Sequence, residues 1–244
     1  MDYMKQWITL AAVVTLGVGT SGLAQAALIT ASDVATGAQS ASAGGATFTA
    51  YGNTEATAAA TLATKSIPGV GTGLGVNGQG NTEIDWYSTA NGGNSEMIRV
   101  QLGADSLIND LTIGLLFDGP EYADYLERAA FRVNFADGSN STFTLAALMG
   151  GGSLWNGGGS WTSSGLWNGG SGLWVNADPF GGSAISGFDM FATPGLCGTE
   201  TRCTDQSDFV FRSMRTTAVP EPGTLGLLGA ALAAMGLARR RRKA

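Results

Sequence analysis

The sequence predicts a mostly β protein: a single antiparallel β-sandwich or jelly-roll-like domain, with an N-terminal signal helix and a C-terminal hydrophobic helix outside it. Three observations carry this. Between residues 46 and 216 the apolar residues alternate with a period of two instead of recurring at helical spacing. Gly, Asn and Asp punctuate those segments at turn spacing. The long uncharged stretches fall at the two ends, where they read as targeting segments.

Met1–Lys5 is a short n-region with one lysine, and Ile8 to Val18 is an apolar h-region. Ala24-Gln25-Ala26 supplies the small-residue cleavage site, so residues 1–26 read as a signal peptide and the mature chain begins at Ala27. This implies passage through the Sec translocon and cutting by signal peptidase. Residues 27–45 are rich in Ala, Ser, Thr and Gly and read as a flexible, loosely held entry segment. The β domain is expected over 46–216. Thr47–Tyr51 is a short strand. Ala56–Lys65 has helix propensity, but its three threonines make a strand as good a reading. Glu96–Leu102 places Ile98, Val100 and Leu102 on one face, with Arg99 and Gln101 on the other. Leu111–Phe117 is nearly all apolar, as a buried central strand is. Arg128–Phe135 alternates again, Asp137-Gly138 makes a turn, and Ser141–Leu145 returns as the clearest hairpin. Ile185–Phe191 and Phe209–Met214 are later strands.

The final segment, 217–244, has a different character. Val219-Pro220-Glu221-Pro222-Gly223 is followed by an uncharged stretch at 224–238, read as a transmembrane helix, and then by Arg239, Arg240, Arg241, Arg242 and Lys243 as a basic stop. This order resembles the PEP-CTERM sorting signal. The resemblance implies processing by an exosortase-like membrane protease in a Gram-negative bacterium that makes extracellular polysaccharide. It also implies an inner-membrane intermediate followed by release to the cell surface, outer envelope or extracellular matrix. Gly73-Leu74-Gly75-Val76, Glu83-Ile84-Asp85 and Glu96–Val100 resemble the β-sandwich domains often found upstream of such tails.

Composition narrows the function. Histidine is absent, which excludes Ser-His-Asp and Cys-His catalysis and His-ligated zinc. Removing both ends leaves 7 basic and 18 acidic residues, so the net charge moves from −6 to about −11. Such a surface disfavours nucleic acid as a partner. Cys197 and Cys203, with five residues between them, read as a disulfide in an exported chain.

Two constellations remain. Glu83 and Asp85 share a strand face and Glu96 opens the next strand, while Asp118, Glu121 and Asp124 follow another. Hard cations take several oxygens, so Glu83, Asp85 and Glu96 are candidate ligands for a structural Ca²⁺. Solvated edge carboxylates are the plainer alternative, and a glycosidase carboxylate pair is a third. In the Gly/Trp-rich stretch at 150–175, Trp155, Trp161, Trp167 and Trp174 recur at spacings of six, six and seven. They read as core filling, as a self-association loop, or as a glycan-stacking surface. The leading expectation is an exported, non-enzymatic surface or matrix protein associated with exopolysaccharide and biofilm, with no cofactor beyond that Ca²⁺. A carbohydrate-binding module using the Trp repeat is the alternative, followed by a secreted glycosidase.

Overall fold

The computed structural model describes residues 26–69, 71–78, 82–89, 92–117, 126–148, 150–167, 170–195, 206–220 and 222–241. It has two compact units, one of which is the β body at Ala24–Glu221. The body contains β1 (Ala26–Thr30), a 3-10 turn (Ala31–Asp33), β2 (Ser40–Ala43), β3 (Ala46–Tyr51), β4 (Thr61–Ile67), β5 (Gly71–Asn77), β6 (Ile84–Thr89) and β7 (Gly92–Ser95). There follow β8 (Met97–Gly114), β9 (Arg128–Phe135), β10 (Asn140–Leu148), β11 (Gly152–Trp155), β12 (Trp161–Trp167), β13 (Gly170–Ala177), β14 (Ile185–Thr193) and β15 (Ser207–Ala218).

Every strand pairing is antiparallel, and the main path runs β11-β10-β9-β14-β8-β15-β5-β4. Two strands hold the network together. The first half of β8 pairs with β14 on one side and β3 on the other. Its second half pairs with β15 and β13. β15 in turn pairs with β1, β5 and β6. The described strands therefore form one connected antiparallel network. The two strands expected at Glu96–Leu102 and Leu111–Phe117 are largely one 18-residue strand; Gly103 and Asp105 are turn-forming types, but the Gly103 N–H donates to Gly45 O and Asp105 O accepts from the Val219 N–H.

The β9–β10 hairpin forms at its expected place, with Phe131 opposite Phe143 and Val133 opposite Ser141. Gly138 supplies the turn's positive φ of 85°. Asp137 accepts the Ser139 N–H at 2.8 Å and its hydroxyl at 2.6 Å, bonds that lower the Asp137 pKa. Within Ala56–Lys65 the strand reading holds for Thr61–Lys65, part of β4, while Ala56 sits in a bend with a positive φ of 58°.

The entry segment at 27–45 is built into the body, which corrects the flexible reading. β1 pairs residue for residue with β15 from Ala26–Thr217 to Thr30–Ser213. Ile29, Ala31 and Val34 are buried, and this burial offsets the weak propensity of the surrounding Ala and Ser. Asp33 caps the 3-10 turn, accepting the Thr30 N–H at 2.8 Å and its hydroxyl at 2.7 Å.

The core is aromatic. Phe48 packs on Phe211 with ring centroids 5.3 Å apart, and Phe131 lies among Trp155, Trp161 and Phe209. A charged triad pins three adjacent strands. Asp189 of β14 is 1% exposed and lies opposite both Arg99 of β8 and Arg132 of β9. Arg99 donates to it through Nε and Nη2 at 2.8 and 3.1 Å, and Arg132 through the same atoms at 3.0 and 2.6 Å. Asp189 raises the Arg99 pKa.

The second unit contains the single described helix, α1, at Pro222–Arg241. No helix among the described residues is long and apolar enough to cross a membrane, which corrects the transmembrane reading of 224–238. The reason is length and composition. Before Arg239 the helix has 17 residues, about 25 Å at 1.5 Å each, against a hydrocarbon core of roughly 30 Å. Four of those residues are glycine.

Candidate functional site

Two features of the structure could carry function. The first is a carboxylate cluster in which Glu83 and Asp85 are buried and Asp208 is half-exposed. β6 and β15 pair so that Asp85 lies directly opposite Asp208, flanked by Trp86–Ser207 and Ile84–Phe209. Glu83 precedes β6, and its carbonyl accepts the Val76 N–H at 2.8 Å. That approach requires Gly75, where a Cβ would collide with Thr82 O and Glu83 Cα. Ligand oxygens of Glu83, Asp85 and Asp208 all lie within 4.8 Å of one another. Glu83 and Asp85 are each 4% exposed and Glu96 is fully buried, so these are not solvated edge carboxylates.

Of the three expected ligands, Glu83 and Asp85 are brought together. Glu96 stands beside them but is not among the converging oxygens: its Oε2 accepts the Asp85 N–H at 3.4 Å, and its carboxylate fills the space that a side chain at Gly78 would take. Asp208 takes the third place, and the sequence reading missed it. It is 123 residues from Asp85, and only the β6–β15 register joins them. Lys65 of β4 forms an ion pair with Glu83. Asp85 and Asp208 are directly opposite across the β6–β15 pair, an arrangement of carboxylate oxygens that could hold a cation. Its spacing fits Ca²⁺, because two oxygens at 2.3–2.6 Å from a common ion lie no more than about 5.2 Å apart. Asp118, Glu121 and Asp124 lie outside the described residues.

The Trp repeat is largely core. Trp174 is fully buried, with its Nε1 donating to Leu116 O at 2.7 Å. Trp161 is 5% exposed. Trp155 is half-buried, donates to Gly158 O at 2.7 Å and packs edge-on to Trp161 at 5.6 Å. Trp161 and Trp174 therefore have no free ring face for a sugar or a second copy, which corrects the stacking-surface reading for those two. Trp167 belongs to β12, and its side chain lies outside the description. Cys197, Cys203 and Ala24 lie outside the described residues, while Ala26 opens β1.

The second feature is the C-terminal segment. β15 ends at Ala218, opposite Ser106. Val219 then donates its N–H to Asp105 O at 2.8 Å. Pro220 is exposed and, lacking an N–H, cannot extend the ladder. Pro222 opens α1, the position at which proline costs a helix nothing. Leu228, Leu232 and Met235 are about half exposed. Arg239, Arg240 and Arg241 close the helix, where positive charge complements its dipole. Arg242 and Lys243 lie beyond the described residues, as does Glu221 of the motif; Gly223 is exposed.

Residues 218–243 match the family described as the PEP-CTERM protein-sorting motif. The motif marks an exported protein processed by exosortase, a membrane protease, on its way to the surface. The match spans 26 of the 244 residues and leaves the β body unassigned. Neither the comparison with curated proteins nor that with solved structures gives a match.

Proposed function

We propose that this chain is a non-enzymatic protein of the cell surface or extracellular matrix of a Gram-negative bacterium, released from its tail by an exosortase-type protease and associated with exopolysaccharide and biofilm. The observation that carries the reading is where the motif lies: it begins as the last strand ends. A cut at the motif removes α1 and the basic stop without breaking a ladder hydrogen bond of the body. The product has a net charge of about −11, which suits a soluble matrix component.

The carboxylate cluster has a structural role in this reading, binding Ca²⁺ between β6 and β15. The burial of Glu83, Asp85 and Glu96 supports that role over hydrolysis, since a glycosidase pair must reach the scissile bond. The burial of Trp161 and Trp174 likewise moves any carbohydrate recognition away from the Trp repeat.

Intact-mass measurement of the protein recovered from the cell surface tests the sorting step. A chain ending near 220–223 is expected. A mass that retains Arg239–Lys243 refutes processing. Release of reducing sugar from polysaccharides by the purified protein refutes the non-enzymatic part.

A further inference from the structure

A β-bulge in β15 creates a cationic hollow on the outside of the body. Phe211 lies opposite Ile113 and Ser213 opposite Thr112, so Arg212 is the extra residue. The bulge changes the phase of the strand. Phe209 and Phe211 are buried before it and Met214 and Thr216 after it, leaving Arg212 and Ser213 both half-exposed. A regular strand would have sent one of them inward.

Around them the sheet presents a row of small polar groups. Thr30 lies opposite Ser213, Ser213 opposite Thr112, and Thr112 opposite Val175, across β1, β15, β8 and β13. With Arg212, Thr72 and Leu173 they line a cavity of about 420 Å³, within the range of small-molecule sites. The guanidinium has a prepared place. A Cβ at Gly71 would lie 3.0 Å from its Nη2 and 3.1 Å from its Nη1, so glycine there leaves room for it. Nη1 donates to Thr72 O, while the Nε is buried without a hydrogen-bond partner.

The arginines with described ion pairs are Arg99, Arg132 and Arg215. Arg212 has no carboxylate within 4.0 Å among the described residues. Asp110, two residues from Thr112, pairs with Arg215, and Asp33 is occupied by Thr30. Burial without a counter-charge lowers the Arg212 pKa, so an arriving anion would relieve an existing cost. A guanidinium fork selects planar carboxylate. Hydroxyls that both donate and accept suit a polyol, and Leu173 and Val175 suit the C–H face of a ring.

We propose that the Arg212 hollow binds a uronate: a sugar ring whose carboxylate takes the guanidinium and whose hydroxyls take Ser213 and Thr112. This rests on the geometry of the body alone, so it stands or falls separately from tail processing. The test is calorimetric titration of the full chain with D-glucuronate, with glucose and acetate as comparisons. Glucuronate binds and the other two bind at least tenfold more weakly, because each lacks one half of the recognised chemistry. Arg212→Gln weakens glucuronate at least tenfold while the melting temperature is kept, and Ser213→Val weakens it several-fold with the arginine intact. No binding of glucuronate, equal binding of acetate, or equal binding of glucose overturns the proposal. So does a folded Arg212→Gln that binds as the parent does. If Arg212→Gln fails to fold, unchanged binding by Ser213→Val overturns it.

Discussion

Replacing Asp189 with asparagine keeps the shape of the triad and removes its charge. Asp189 is 1% exposed and accepts four hydrogen bonds of 2.6 to 3.1 Å from Arg99 and Arg132. At roughly 1.5–3 kcal/mol for each bond to a charged group, a simple total would be about 6–12 kcal/mol. That total is too high, because the arginine side chains are 39% and 37% exposed and regain water when released. Breaking a buried pair from one side costs about 3–5 kcal/mol, and rehydration places Asp189→Asn near the lower end, at about 3 kcal/mol. For a body of this size that lowers the melting temperature by about 6–12 °C. Urea unfolding followed by tryptophan fluorescence measures it. Arg99→Met should cost less, since Asp189 then keeps Arg132. A loss below about 1 kcal/mol for Asp189→Asn, or a larger loss for Arg99→Met, would refute the view that Asp189 is what joins the three strands.

Four further outcomes are expected. Trp174→Ala removes a fully buried side chain and leaves Leu116 O without its donor, costing about 3–5 kcal/mol by denaturant unfolding; a near-neutral variant would contradict its core role. Gly75→Ala drives a methyl into Thr82 O and Glu83 Cα and costs about 1–3 kcal/mol in the same assay; no loss would mean that Glu83 is not held by that approach. Ca²⁺ titration gives heat and raises the melting temperature, EDTA reverses the rise, and Asp208→Asn abolishes both; no heat and no shift would eliminate the cation. Asp33 has a lowered pKa because of its bonds to the Thr30 N–H and then the Thr30 hydroxyl. Its stabilisation is therefore complete above the unfolded pKa and is lost as pH falls through the folded one, so Asp33→Asn lowers the melting temperature at pH 7 and has progressively less effect below about pH 4. An equal effect at both pH values would rule that out.

Local chemistry made some elements legible in the sequence and long-range pairing hid others. The Arg128–Phe135 strand, its Asp137-Gly138 turn and the returning strand were readable because alternation and turn residues are adjacent in the chain. Ala26–Thr30 was not, since its order comes from β15, nearly two hundred residues away. β8 looked like two strands because each half has its own apolar pattern; neighbours on both sides keep it extended through Gly103–Asp105. The carboxylate trio was two-thirds readable: Glu83 and Asp85 are neighbours in sequence, whereas Asp208 arrives only through strand register. The Trp repeat left core filling and a surface role both open because glycine surrounds it. In the fold those glycines let the ring of Trp155 lie against Gly157 and carry the chain around a packed aromatic cluster.

β15 also sets an order of events. It is the last strand of the body, and β1, β5, β6 and β8 all hydrogen-bond to it. A chain emerging N-terminus first cannot close its sheet until β15 is through, and the sorting motif follows within two residues of that strand's end. The strand that completes the fold and the tail that the protease reads are thus consecutive in the chain. Ala26 lies opposite Thr217, so the ladder that joins the first and last strands also brings the signal-peptide end and the sorting end of the body side by side. The pairing that finishes the domain would then act as a check on export: a chain that stalls before β15 has neither a closed sheet nor a tail to cut.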